Sequence, residues 1–455
     1  MRYCDKEGAQ EMPGRETKIV ALVLGAYLVF FYGGLADRMK LFAHSLITPA
    51  IDITQVVYDS WLIDSYNNKI RWPEPAPDTS GITRHITGQI HNDHILVTTT
   101  HDRTARLRNR QGKTVHRWHV PVAKAWPAQD HINALFHLPP RYFYLRDAHL
   151  FADGDLLTLV HAGGITPWGV GLAKIGRNSK LHWSYKGHIN NDFEIGPNGR
   201  IYVIEHGKSR QWPAPVRDFS TPYLEDHIVI ISPKGKVQKR ISLIQALAES
   251  PYAAALRRIE ESHDGDPTHA NSINYVNTAT NKADTPDWLD NGDLIISLRN
   301  IALMLVLDPE TGTIKYASGL PAVMQHDIDL LPGGNLLMFD NRGDTNGTAY
   351  SRVIEMDPVT KAIEWSFSAT PEGKELDSKF FGENERLENG DTMIVNARQG
   401  EVLTVDKQGR PLWQFTTPLR KDLDGKAHRP IITHAEFIEE TGIDFSFNAG
   451  ANGTK

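Results

Sequence analysis

From about Gly81 onward the chain repeats one hydrophobic pattern: a polar opening, an apolar run rich in Leu, Ile and Val, a tight turn built on Gly, then further short strands. In the first half the copies read IHNDHILVTTT with RNRQGKTVHRW, DAHLFADGDLLTLVH with GRNSKLHWSY, and DFEIGPNGRIYVIEH with SPKGKVQKRI. In the second half they read DWLDNGDLIISL with LDPETGTIKY, HDIDLLPGGNLLMFD with MDPVTKAIEWSF, and NERLENGDTMIV with VDKQGRPLWQF. Runs of this length joined by D-G, N-G and G-G turns are hairpin signals, not helical ones. Six copies over residues 81–455 come to about 60 residues each, more than a bare four-stranded unit needs, so some units carry insertions. One insertion, ISLIQALAESPYAAALRRIEE over Ile241–Glu261, reads as helix interrupted at Pro251.

Four-stranded sheets repeated six times predict an all-β fold, a six-bladed β-propeller closed by pairing strands from the two ends of the chain. A β-sandwich would need fewer and less regular copies. An open solenoid would need capping repeats, which the sequence does not display.

The pattern is different at the N-terminus. Ile19–Ala36 runs 18 residues without a charge, roughly 27 Å of helix at 1.5 Å per residue, enough to approach the thickness of a bilayer core. A cleaved leader would have a shorter apolar core and a small-residue cleavage site, whereas Asp37, Arg38, Met39 and Lys40 follow here. Arg2, Lys6, Arg15 and Lys18 precede the segment, so the positive-inside bias favours a cytoplasmic N-terminus. The expected organisation is a cytoplasmic segment 1–17, a transmembrane anchor 18–36, a membrane-proximal linker 37–80 and the propeller 81–455. This places the protein as a single-pass inner-membrane protein with the propeller in the periplasm or outside.

Composition narrows the function. The 455 residues hold 55 acidic and 49 basic side chains, net charge −6, without long single-sign runs, which argues against a nucleic-acid partner. The one cysteine, Cys4, precedes the repeats, leaving them without a disulfide, a Cys-based zinc site or a thiol nucleophile. Any chemistry falls to the residues that open each unit, because the first strand of a propeller blade lines the central channel. These are Asp147 and His149; Asn191 and Asp192; His269, Asn271 and Ser272; His326 and Asp327; and Asn384. Asn341 and Arg342 follow His326 across one hairpin, while Arg299 and Arg398 end the second strands of their units, where a loop arginine is the simpler reading. Polar residues at such positions can merely hydrate a channel.

The motifs HANSI at His269, MQHDIDLLPGGNLLMFDNRG around His326, a following YSR, and VIEMDP with a late Trp365 resemble the arylsulfotransferase family, the six-bladed, PAPS-independent propeller enzymes of bacterial envelopes. The likeness runs from about Gly81 to Phe415. It implies transfer of a sulfuryl group from an aryl sulfate ester to a phenolic or other hydroxyl acceptor through a sulfated histidine, with no cofactor and no metal. By motif, His269 and His326 resemble active-site histidines and Arg342 the arginine beside them. Asn271, Asn341, His149, Asn384 and Arg398 are the candidate substrate-binding residues. The family's large enzymes carry an extra N-terminal β-domain and a cysteine pair that this chain lacks. The inner strand expected to present the sulfated histidine reads Gly382-Glu383-Asn384-Glu385-Arg386, and His434, late in the chain, is more simply a residue of the closing strand.

Sulfuryl transfer is a loose, in-line displacement in which the protein positions reactants and steadies charge on three equatorial oxygens. One imidazole serves as nucleophile and another as acid, and an arginine forks onto two oxygens. The alternative class is a non-catalytic propeller that binds an anionic polymer or a protein partner in the cell envelope. A quinone-dependent dehydrogenase is disfavoured by the lack of a regular tryptophan-docking repeat. A metal on His149, His269 and His326 lacks carboxylates placed beside them in the sequence.

Overall fold

The computed structural model describes residues 70–86, 94–132, 137–213, 221–259, 265–277, 286–341 and 350–439. They belong to one compact unit, Tyr66–Lys455. The transmembrane segment lies outside the described residues, as does Arg342. Among the described residues no helix is long and apolar enough to cross a membrane.

The described chain is all-β and propeller-like. Six antiparallel sheets follow one another along the sequence. The second sheet orders Phe143–Leu150, Leu156–Ala162, Gly169–Ile175 and Leu181–Lys186, and the third Ile189–Ile195, Ile201–Ser209, Tyr223–Ile231 and Val237–Ser242. The fourth sheet begins at Ala270–Tyr275, the fifth at His326–Leu330 and the sixth at Glu383–Arg386. The first sheet takes its inner strand from the far end of the chain, where Ile432–Ile438 pairs with His94–Thr99. At the other seam Gly81–His85 adds a fifth, outermost strand to the sixth sheet through Pro411–Thr416.

Burial explains this layering. Middle strands are covered on both faces by neighbouring sheets, so LIISL at Leu294–Leu298, LLMFD at Leu336–Asp340 and TMIVN at Thr392–Asn396 are buried at every position. Outer strands such as IEWSF at Ile363–Phe367 are largely exposed. Apolar layers fill the gaps between sheets: Ile295, Met304 and Val306 meet Ile328, Leu336 and Met338, and Val395, Val402 and Phe415 meet Ile95, Val97 and Ala435 across the seam. Burial of such side chains stabilises by roughly 1.5–3 kcal/mol each.

Hydrogen bonds between inner strands run round the whole set. Thr433 Oγ1 donates to Leu145 O, Arg146 Nε to Asn191 Oδ1 and Asn190 Nδ2 to Ala270 O. Asn271 Nδ2 donates to Gln325 O, Asn384 Nδ2 to Asp327 O and Ala435 N back to Glu383 Oε2.

Two details differ from the sequence reading. Arg71 is buried and donates to Thr100 O, His101 O and Arg141 O, while Glu74–Pro75 pairs with Lys426–Arg429. The folded body therefore begins ahead of Gly81, inside the stretch read as a linker. The strand opening the first unit is also the second strand of its sheet, because the chain's end occupies the inner place. The insertion after Ile241 forms a short helix, Leu243–Ala248, capped by Ser242 accepting from Gln245 N, and a 3-10 turn, Ala253–Arg258, beyond Pro251.

Candidate active site

The inner strands enclose a cavity of about 300 Å³. Five of the six carry a register shift near their starts: between Leu145 and Asp147, Ile189 and Phe193, Ala270 and Ser272, His326 and Asp329, and Ile432 and His434. Such bulges re-aim side chains, so consecutive residues like His326 and Asp327 both reach the lining. Asn191, His269 and Asp327 hold φ of +54°, +47° and +53°, in the left-handed region that Asn, Asp and His tolerate better than most. Non-glycine residues held there cluster at functional sites.

Among the buried residues of this lining, His326 is tightly oriented. Its Nδ1 lies 2.7 Å from Asn341 Oδ1 and 3.1 Å from Met324 O. The Asn341 amide cannot be turned over, because its Nδ2 donates to both Ser378 O and Phe381 O at 2.6 Å. Facing two acceptors, Nδ1 carries the proton, and the lone pair of the neutral ring is on Nε2. Burial, then the positive charges of Arg299 and Arg146, hold the ring's pKa well below 6.5, so it is uncharged at neutral pH. His269 is buried beside it; Nδ1 donates to Asp266 Oδ2 at 2.5 Å, and Asn191 Nδ2 approaches Nε2 at 3.4 Å. Burial and Arg299 lower its pKa against the pull of Asp266.

The less buried part of the cavity lining is acidic. Eight carboxylates line it: Asp192 with Glu194, Asp327 with Asp329, Glu383 with Glu385, and Asp147 with Glu436. His434 sits among them, 3.1 Å from both Asp147 Oδ1 and Glu383 Oε2. Burial opposes its charge, but Glu383 and Asp147 outweigh it and raise the pKa to about 10. Arg146 pairs with Glu383 at 3.2 Å and donates to Thr433 O at 2.5 Å, with its guanidinium over the Phe381 ring. Burial and mutual repulsion raise Asp192, Asp327 and Asp329 well above the usual range, and burial raises Glu194 to about 7.

That last shift has a testable sign. A carboxyl whose folded pKa is raised contributes stability below its unfolded value, near 4.5, and loses it as pH climbs through about 7. Glu194→Gln is therefore expected to raise the melting temperature relative to the native protein at pH 8 and not at pH 4. Melting curves of both proteins at the two pH values check it; an equal difference at both would contradict the assignment.

The sequence-based candidates divide. His326, Asn271, Asn384 and His149 line the cavity, and His269 is not part of the lining. The amide hydrogens of Asn271 and Asn384 are engaged with Gln325 O and with Asp327 O and Asp329, and their oxygens have no hydrogen-bond partner among the described residues. Each thus offers an acceptor, not the donor that a sulfuryl oxygen requires. Asn341 is spent on orienting His326. Burial and the nearby His434 charge lower His149 to about 4, and its neighbour is Glu436, 3.9 Å away. Arg398 is absent from the cavity lining and forms an ion pair with Glu74 at 2.8 Å. The pattern-based reading passed over Arg146, His206 and Asp266, and it treated Arg299 as an ordinary loop residue. Arg299 comes into range because its backbone N donates to His269 O, docking the 299–301 turn on the 266–269 segment.

The sequence profile for Arylsulfotransferase (ASST) matches residues 148–417, more than half of the chain and all four sheets from the third to the sixth. The chain belongs to that family. No curated protein matches it. Similar solved structures include a protein of unknown function from Bacteroides caccae, at 14% identity and TM-score 0.47, covering 76% of this chain and 98% of that one. A virginiamycin B lyase from Staphylococcus aureus aligns at 12% identity and TM-score 0.36, over 62% and 73%. Apo AztD from Citrobacter koseri aligns at 8% identity and TM-score 0.35, over 74% and 97%. Likenesses of this order bear on neither activity nor ligand. Family membership supports sulfuryl transfer at the level of the family, and Glu383, on the late inner strand, pairs with Arg146 and His434.

Proposed function

We propose that the protein is a closed six-bladed propeller that moves a sulfuryl group from an aryl sulfate to a phenolic or other hydroxyl acceptor, with His326 as the nucleophile. The observation that carries this reading is the pinned Nδ1–H of His326, which commits the lone pair to Nε2 on a buried ring between two guanidinium charges. In the first step Nε2 bonds to sulfur, the sulfur–aryl oxygen bond breaks and the phenolate leaves. In the second the acceptor oxygen attacks sulfur, the N–S bond breaks, the acceptor's proton passes to solvent and His326 returns to its neutral form. The positive field of Arg299 and Arg146 favours the charge on the three equatorial oxygens, and Arg342, next in sequence to Asn341, is assigned the same duty. His269, fixed by Asp266 outside the cavity lining, takes no step in this scheme.

The Arg146 and Arg299 charges acting on His326 draw an anionic ester to the buried end of the cavity, and the raised pKa values of Asp192, Asp327 and Asp329 weaken the repulsion from the acidic lining. The 18–36 segment is assigned as a single membrane anchor, with the propeller on the periplasmic side of the inner membrane. The test of the reading is release of nitrophenolate from 4-nitrophenyl sulfate by the purified protein, dependent on an added phenol. Its absence under all acceptors would favour the second class, an envelope binding module, for which the acidic lining favours cationic ligands over anionic polymers.

Tautomer control gives a sharper expectation. Asn341→Leu removes the acceptor on Nδ1 while leaving Met324 O, and is expected to lower kcat by about 10-fold or more with KM nearly unchanged, as for loss of a group that orients a catalytic imidazole. Steady-state kinetics with an aryl sulfate check this; unchanged kcat would remove Asn341 from the account.

A further inference from the structure

Outside the cavity lining lies a gathering of ligating side chains that takes no step in the proposed sulfuryl transfer. His206, Asp266 and His269 each bring one nitrogen or oxygen to within 4.8 Å of the others. His206 comes from the second strand of the third sheet, and the other two from the turn entering the fourth. His206 is 1% exposed, and its Nε2, like Asp266 Oδ1, is buried with no hydrogen-bond partner among the described residues. Two bare polar atoms converging in a water-poor place imply a third body between them.

Three further features say what that body is. His206 Nδ1 lies 2.8 Å from Asp226 Oδ1 in a bent, ionic contact. The other carboxylate oxygen, Oδ2, accepts from Thr268 Oγ1 at 2.5 Å and Ala270 N at 2.7 Å, the two residues flanking His269. Asp226 therefore holds both histidines in one frame and turns the His206 lone pair inward, the carboxylate–histidine arrangement that orients metal ligands. The two imidazole centroids are 5.7 Å apart. Two rings on one tetrahedral zinc, with Zn–N about 2.0–2.1 Å, place their centroids about 5 Å apart, so a small contraction suffices. Finally, Trp168 packs against both rings, 6.3 Å from His206 and 5.7 Å from His269, and limits water.

We propose that His206, Asp266 and His269 form a binding site for a divalent metal of the zinc class, with Asp226 as the residue that positions His206. Two imidazoles and one carboxylate suit zinc among first-row metals and leave a fourth position for water or an anion. Binding displaces the proton that His269 Nδ1 now shares with Asp266, so uptake of metal releases acid.

The test uses the full-length protein, freed of any polyhistidine tag and dialysed against a chelator. Calorimetric titration with Zn²⁺ is expected to show one equivalent bound per chain, proton release that depends on the buffer, and a raised melting temperature. Co²⁺ is expected to give the visible absorption of a four-coordinate site. His206→Ala and Asp266→Asn should each abolish the stoichiometric site, whereas Asp226→Asn, which keeps all three ligands, should weaken it by about 10–100-fold. If His206→Ala does not fold, the two aspartate variants carry the comparison. No stoichiometric binding by the native protein, or equal affinity in the variants, would identify the third body as a bridging water and overturn the proposal. Because these readouts involve no sulfate ester, they are independent of whether sulfuryl transfer occurs.

Discussion

Replacing His326 with alanine is expected to lower turnover of an aryl sulfate by about 10²- to 10⁴-fold, equivalent to about 3–5 kcal/mol of transition-state stabilisation. The loss follows from what the residue does: Nε2 is the only atom asked to form the covalent bond, and water in its place lacks both the nucleophilicity and the position. The substitution also leaves Asn341 Oδ1 without its partner, so a modest loss of stability accompanies it. Initial rates together with a melting curve separate the two effects. A change within a few-fold, in a protein that still melts cooperatively, would take His326 out of the mechanism.

The second large effect is structural. Ending the chain before Ile431 is expected to abolish soluble, cooperatively folding protein. Ile432–Ile438 is the inner strand of the first sheet, and Ile431 and Ile432 are fully buried, at roughly 2 kcal/mol each by area. Its removal also takes the Thr433 carbonyl from Arg146 and the Thr433 hydroxyl from Leu145 O, and leaves His94–Thr99, buried at all six positions, as an open edge. Together these losses approach the 5–15 kcal/mol that holds a typical domain folded, and a bare apolar edge invites aggregation. Solubility and calorimetry of the truncated protein check it. A truncation with a sharp melting transition would show that the ring does not depend on this strand.

How far the sequence carried the reading depended on the range of the physics involved. Strands and turns are local, so Gly154, Gly199 and Gly390, each with positive φ at a hairpin, announced the repeat directly. Position at the opening of the unit pointed His326 and Asp327 to the channel, and both line the cavity. The same rule misjudged Arg146, whose place opposite Asn191 and Glu383 depends on the bulge between Leu145 and Asp147, a feature without a local signature. Arg299 and His206, at the ends of second strands, enter the site through loop docking and a neighbouring sheet, which are long-range events. The asparagines show another limit. Their positions were legible, but whether Asn271 and Asn384 offer donors or acceptors was decided by Gln325 O and Asp327 O, carbonyls of the next sheet.

The most direct test of the central claim is the covalent intermediate itself. The protein is mixed briefly with 4-nitrophenyl sulfate without acceptor, quenched at alkaline pH where a sulfated imidazole survives, digested and analysed by mass spectrometry. The account predicts an added SO₃ group on the peptide containing His326, lost on treatment with acid or with a phenol and absent from His326→Ala. An SO₃ group on another residue, retained in His326→Ala, would contradict it, as would turnover with no adduct on His326.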